Sequence, residues 1–302
     1  MQIFAATYTP LKEDLSLKLD IIGQYANYLT HNKINGVFIN GSTGDFASLT
    51  ISERKEHLEA WVPEKTGLTL INHVGDIGLK NAMDLAAHSA GKADAIAAIA
   101  PFYFRPSNID QLIEYCSKIA ASAPNLPFYY YHLPALTNVN FDITDFLKKA
   151  VDQIPSFEGI KFTQNDLVAY QEVNAMAGDK DIFFGVDEAF LPSLATGAKG
   201  WVGSTFNHLT PLYRAIADHF YECDFYEARK LQALALKFVQ TLASYGGFNG
   251  GGKSFMKEMG VDCGPSRFPH RTLNSEEIKE VLSVFTQYGL NEYLNRKVEN
   301  QI

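Results

Sequence analysis

Between residues 157 and 207 the chain runs through three short apolar stretches, Gly159-Ile160-Lys161-Phe162-Thr163, Ile182-Phe183-Phe184-Gly185-Val186 and Trp201-Val202-Gly203-Ser204. The segments Leu167–Met176 and Ala189–Ala195 between them carry apolar residues at helical spacing. Short runs rich in β-branched or aromatic residues and bounded by Gly, Asn or Asp read as strands. Strand, helix, strand, helix, strand is the beat of successive βα units.

The same beat continues upstream. Ile3–Tyr8, Gly36–Asn40, Leu68–Val74, Ala95–Ala100 and Phe128–His132 are further strand candidates, and the Ala-rich Ala95–Ala100 has the weakest pattern. Helical segments fall at Leu19–Leu29, Leu79–Ala90, Ile109–Ala121 and Ile143–Val151, with Pro211–Phe220 following the last strand. Thr50-Ile51-Ser52-Glu53 reads as a capping box that opens a helix running to about Trp61. Eight alternations predict a parallel sheet closed into a (β/α)8 TIM barrel of the α/β class, with an open doubly wound sheet as the rival on pattern alone. After Phe220 the beat stops. Phe225–Tyr245 is one long helical pattern, and Ser275–Tyr288 and Asn291–Val298 follow a Gly/Pro-rich stretch. The expected organisation is a barrel over residues 1–220 that carries the active site and a helical appendix over residues 221–302 packed on it.

Of the 302 residues 46% are apolar and 20% charged, enough to bury a full core. Lys plus Arg is 26 and Asp plus Glu is 34, a formal charge of −8, which disfavours nucleic acid as a partner. An anionic substrate would then need a local anion site. Three cysteines, Cys116, Cys223 and Cys263, form no CxxC pair and suit a reducing, cytoplasmic setting. The N-terminal residues lack the basic region of a signal peptide, and no window is apolar over the ~18 residues of a membrane span, so no membrane association is expected. The eight histidines show neither HxH nor HExxH spacing, so no metal site is expected.

In a barrel of this kind the site lies at the carboxyl ends of the strands. Those ends carry Gly41-Ser42-Thr43-Gly44-Asp45, His73, Tyr103, Tyr131-His132, Lys161-Phe162-Thr163, Gly185-Val186-Asp187-Glu188 and Ser204-Thr205-Phe206-Asn207. Alternation puts Lys161 and Thr163 on one face of their strand and Ile160 and Phe162 on the other. If the apolar pair faces the helices, the amine points into the barrel mouth. A free Lys with a pKa near ~10.4 is neutral in about one molecule in 2,500 at pH 7. Lowering it by ~3 units makes roughly a third neutral and corresponds to ~4 kcal/mol. A neutral buried Lys attacks a ketone to form a Schiff base; the alternative is a Lys that snorkels to solvent.

Tyr129 and Tyr131 share a face of the neighbouring strand, and a phenol beside an amine can relay protons. An aromatic core stripe accounts well for Tyr129 and Tyr130, less well for Tyr131 at the end of the run. The Gly41–Gly44 turn offers consecutive N–H groups to a carboxylate or phosphate, although small-residue turns are common. Asp187 and Glu188 suit acid catalysis, polyol binding or simple helix capping. His132 and His208 read as structural.

Together these motifs make the chain similar to the N-acetylneuraminate lyase (sialic acid aldolase) branch of the dihydrodipicolinate synthase-like class I aldolases. The resemblance runs from Tyr8-Thr9-Pro10 to Gly264-Pro265. It includes the Gly-Ser-Thr-Gly turn, Tyr131-His132-Leu133-Pro134-Ala135-Leu136, Gly159-Ile160-Lys161-Phe162, Phe184-Gly185-Val186-Asp187-Glu188 and Gly203-Ser204-Thr205-Phe206-Asn207. It implies reversible cleavage of N-acetylneuraminate to pyruvate and N-acetylmannosamine, without metal or organic cofactor. It also implies Lys161 as the Schiff-base lysine and Tyr131 as the proton relay. Ser42 and Thr43 would hold the pyruvate carboxylate, while Thr163, Gly185, Asp187, Glu188 and Ser204 would line the sugar pocket. Tyr103 stands where a neighbouring subunit's tyrosine approaches the site in this family, which usually forms a homotetramer. Asp45 departs from the family's usual Glu.

Two rivals lie within the superfamily. A dihydrodipicolinate synthase would call for Arg where this chain has Leu136, and a 2-keto-3-deoxy sugar acid aldolase is the other alternative. A different class is suggested by Gly247-Phe248-Asn249-Gly250-Gly251-Gly252-Lys253-Ser254, which fits the GxxxxGK[ST] pattern of a phosphate-binding loop. A true phosphate loop follows a buried strand, whereas Leu231–Tyr245 upstream reads as a helix. A silent sugar-acid sensor on the same barrel would not need both Lys161 and Tyr131.

Overall fold

The computed structural model describes residues 1–298, and its strands close into a parallel barrel in sequence order. The strands are β1 Gln2–Ala6, β2 Gly36–Ile39, β3 Thr69–His73, β4 Ala95–Ile99, β5 Phe128–His132, β6 Phe157–Phe162, β7 Asp181–Phe184 and β8 Gly200–Gly203. The first strand pairs with the last through Gln2 to Ala5 against Gly200 to Gly203, which closes the barrel and excludes the open doubly wound sheet. The intervening helices are α1 Ile22–His31, α2 Ile51–Trp61, α3 Leu79–Ser89, α4 Ile109–Ala121, the short α5 Pro134–Thr137, α6 Ile143–Gln153, α7 Leu167–Met176 and α8 Phe190–Ala195. Then come α9 Phe206–Tyr221, α10 Phe225–Ser244, the single turn α11 Lys253–Phe255 and α12 Ser275–Gln287.

Alternation along the strands splits the core in two. One apolar cluster lies between sheet and helices, and a smaller one fills the barrel with Phe4, Phe38, Ile71, Ala97, Tyr129, Tyr131, Phe183 and Val202. Phe183 meets Phe4 and Tyr129 with ring centroids 5.0 Å and 5.5 Å apart. Ala97, the register partner of Tyr129, is small, so the Ala-rich β4 leaves room for these rings.

The capping box of α2 forms as the sequence predicts. The Glu53 N–H donates to Thr50 Oγ1 at 3.1 Å and the Thr50 N–H to Glu53 Oε2 at 2.8 Å. Several boundaries differ from the sequence reading. Strand β6 begins two residues earlier, at Phe157, and β7 ends at Phe184, so Gly185 and Val186 belong to the following loop. The helix expected at Pro211 begins at Phe206, and a non-helical Leu209 (φ −130°) breaks it just before the proline, which has no N–H to donate. The helix expected over Asn291–Val298 is one 3-10 turn, Leu290–Tyr293, followed by irregular chain. The end of the 221–302 segment, residues 299–302, lies outside the described residues.

The C-terminal helices reach the carboxyl-end loops. The Gln232 side chain of α10 donates to the Glu188 carbonyl at 3.0 Å and accepts from the Leu191 N–H at 2.8 Å, holding the loop after β7. Arg267 pairs with Glu53 at the start of α2. No helix among the described residues is long and apolar enough to cross a membrane.

Candidate active site

Lys161 lies on β6 with its side chain inside the barrel, 4% exposed. Its register partners are Tyr131 on β5 and Phe183 on β7. The Nζ sits 4.1 Å from the Phe38 ring centroid and 4.0 Å from that of Tyr131, so two aromatic faces flank the amine. Among the described residues no carboxylate forms an ion pair with it. Burial disfavours the ammonium and lowers the Lys161 pKa to about 7, with the Asp187 charge opposing the drop. The amine therefore points inward and does not snorkel.

The Tyr131 hydroxyl lies 3.4 Å from Ser42 Oγ. Burial raises the phenol to about 12, while the Ser42 hydroxyl pulls it down. Tyr129 points inward on a lower layer and donates to Asp181 Oδ2 at 2.9 Å, and Tyr130 packs outward on Phe146 with ring centroids 4.3 Å apart. Of the three tyrosines, only Tyr131 reaches the amine.

A cavity of about 330 Å³ opens beside Lys161 and is lined by Thr43, Tyr131, Thr163, Gly185, Asp187, Glu188 and Ser204. Eight of the nine site residues expected from sequence thus share one cavity, and Ser42 reaches it through Tyr131. The Ser42, Thr43 and Gly44 N–H groups donate to no acceptor among the described residues. Thr163 Oγ1 is buried and unpartnered, and it occupies the space a side chain at residue 185 would need, which is why glycine stands there.

Asp187 is 5% exposed and its Oδ2 accepts from the Thr205 N–H at 2.9 Å and Thr205 Oγ1 at 2.6 Å. The Tyr213 hydroxyl, 2.8 Å from Thr205 Oγ1, completes the chain. Burial and the neighbouring Glu188 charge raise Asp187 to about 6. Thr205 is a partner the sequence reading missed, although it stands directly after Ser204. Phe38 was missed as well, and its signal is alternation: Val37 and Ile39 face the helices, so Phe38 must face in.

Other expectations fall elsewhere. Tyr103 is 72% exposed and packs edge-on against Phe104, outside the cavity. Leu136, 67% exposed, lines an adjoining cavity of about 490 Å³ with Ser42, Phe46, Phe102 and Phe248, not the one around Lys161. His73 accepts the Ile99 N–H on Nε2 at 3.2 Å, so Nδ1 carries the proton toward the Asn40 carbonyl at 2.8 Å, and the neutral ring is structural. His132 bonds Gln164 and His208 the Gly252 carbonyl, both outside the cavity.

The Dihydrodipicolinate synthetase family model matches residues 1–288. The chain is 39% identical to N-acetylneuraminate lyase A of Xenopus laevis over 272 residues, 88% of this chain and 89% of that one. It is likewise 39% identical to N-acetylneuraminate lyase of Homo sapiens over 281 residues, 91% of this chain and 88% of that one. Among solved structures, Proteus mirabilis N-acetylneuraminate lyase superposes with a TM-score of 0.91 at 34% identity, covering 95% of this chain and 98% of that one.

Proposed function

The chain belongs to the dihydrodipicolinate synthetase family, and on that premise we propose that it is a Schiff-base lyase that reversibly cleaves N-acetylneuraminate to pyruvate and N-acetylmannosamine. The observation that carries the Schiff-base chemistry is the buried Lys161 amine, its pKa brought down to about 7, facing the Tyr131 ring in a cavity that Thr43 also lines.

In the cleavage direction neutral Lys161 adds to the C2 ketone of the open-chain keto acid. Loss of water from the carbinolamine gives a protonated imine. That imine draws the C3–C4 bonding electrons into an enamine as the C4 hydroxyl loses its proton, which releases the aldehyde. Protonation at C3 and hydrolysis then free pyruvate and restore the amine. In this reading Tyr131 carries these protons, and its 3.4 Å contact with the Ser42 hydroxyl supports that role. The unbonded N–H groups of the turn suit the keto acid's carboxylate. Asp187, Glu188, Ser204 and Thr163 offer acceptors and hydroxyls to a polyol tail. The relatives named as lyases of N-acetylneuraminate support that tail as the substrate's.

Assembly as a homotetramer and a cytoplasmic location complete the proposal. Exposed Tyr103 and Phe104 near the carboxyl end of the barrel favour the first, and three free cysteines favour the second.

Treatment with pyruvate and borohydride followed by peptide mass mapping tests the chemistry. Hydride fixes the imine as a stable amine, so an irreversible adduct on Lys161 is expected. An unmodified Lys161 in protein that retains cleavage activity would sink the mechanism.

A further inference from the structure

The segment Gly247–Ser254 has the spacing of a phosphate loop without its architecture. It follows the helix α10, and Phe248–Gly252 wind as one π-helical turn entered through Gly246 and Gly247 at φ +92° and +71°. The Lys253 amine is buried and donates to the Pro265 carbonyl at 2.7 Å, where an incoming phosphate does not reach it. Ser254 Oγ is committed as well, to the Gly250 carbonyl at 2.9 Å and the Leu273 N–H at 3.0 Å.

The turn delivers Asn249 instead. Its Nδ2 donates to the Ser42 carbonyl at 2.9 Å, joining the C-terminal segment to the loop after β2. The Asn249 backbone carbonyl is itself held by Ser266 Oγ. The Ser42 carbonyl also accepts the Asp45 N–H at 3.1 Å, so two donors occupy its two lone pairs and fix the Ser42–Thr43 peptide plane. In a trans peptide the C=O and N–H point opposite ways. Pinning the Ser42 carbonyl toward Asn249 therefore turns the Thr43 N–H away from it, and that N–H has no other acceptor among the described residues.

We propose that Asn249 is a positioning residue for the carboxylate-binding turn, holding the Ser42 carbonyl so that the Thr43 N–H meets the carboxylate of the keto acid bound at Lys161. The proposal rests on the Schiff-base reading above and adds to it a residue from outside the barrel.

The test measures the half-saturating concentration of pyruvate for borohydride trapping on Lys161 in the unmodified protein and in Asn249→Ala. Methyl pyruvate, which keeps the ketone without the negative charge, runs alongside. Loss of one hydrogen bond should raise the pyruvate value about 2–12-fold. The trapping rate at saturation should stay unchanged, and the methyl pyruvate value should move clearly less. Equal shifts for both ketones, or no shift for pyruvate, would overturn the proposal, because a merely structural role does not distinguish the carboxylate. Failure of the unmodified protein to trap at all would instead strike the Schiff-base reading. If Asn249→Ala does not fold, Ser266→Ala decides: it should give the same selective shift, and equal or absent shifts there overturn the proposal.

Discussion

Tyr131 and Lys161 are register partners on neighbouring strands, and the lysine amine lies 4.0 Å from the centre of the tyrosine ring. The pairing sets two properties together. The ring helps to bury the amine and keep it near neutrality, and the phenol hydroxyl stands beside the Ser42 hydroxyl. The proposed nucleophile and the proposed proton carrier thus come from one rung of the barrel.

The lowered Lys161 pKa fixes a pH limb. Only the neutral amine adds to a ketone, and its fraction rises with pH through a pKa of about 7. The borohydride trapping rate at low, sub-saturating pyruvate, which reports ionisations of the free protein, should therefore climb with unit slope below that value and level off above it. At pH 6 it should be ~tenfold below the plateau. The Asp187 charge opposes the drop, so Asp187→Asn should move the limb to lower pH. A limb that stays in place, or moves up, contradicts this coupling.

Tyr131→Phe should keep the ring over the amine while removing the hydroxyl near Ser42. Turnover should fall by ~10²–10⁴-fold with a much smaller change in KM, as for loss of a general acid–base group. Steady-state kinetics of cleavage check it. A near-normal kcat would assign the relay to another group, with the Ser42 and Thr43 hydroxyls first in line.

The barrel was legible because eight strand-helix alternations leave few topologies, and the inward set was legible because β-strands alternate. Lys161, Tyr131 and Thr163 follow from counting residues along two strands. What was not legible depends on loop conformation and contacts distant in sequence. Asp187 and Glu188 together also read as helix-capping acids, and the decisive Thr205 bonds to Asp187 span a loop whose conformation no periodicity encodes. Leu136 is close in sequence to Tyr131, yet the short helix Pro134–Thr137 carries it into the adjoining cavity. Asn249 is separated from Ser42 by most of the chain, and the glycines around it gave a misleading phosphate-loop pattern.

Gly185→Ala should be costly for a steric reason. The added methyl would collide with Thr163 Oγ1 and press on the Phe162 carbonyl. Overpacking of this kind costs ~1–3 kcal/mol. Urea unfolding should show that loss, and it should shrink when Thr163→Ala is made in the same chain. Strict additivity of the two substitutions would show that Thr163 is not what excludes a side chain at residue 185.

The aldehyde preference follows from what lines the cavity. Apart from Lys161 the lining contains no cation, whereas Asp187 and Glu188 are both there. Aspartate semialdehyde would bring a second carboxylate to those two without a counter-charge. N-acetylmannosamine brings hydroxyls to them and to the buried, unpartnered Thr163 Oγ1. A hydrogen bond to a charged group is worth ~1.5–3 kcal/mol, so two such bonds give ~10²-fold or more in favour of the sugar. Leu136→Arg should not reverse this order, because residue 136 is 67% exposed and faces the adjoining cavity. The measurement is kcat/KM for condensation of pyruvate with each aldehyde. If aspartate semialdehyde is the better substrate of the unmodified protein, the sugar pocket is misassigned while the Schiff-base chemistry stands.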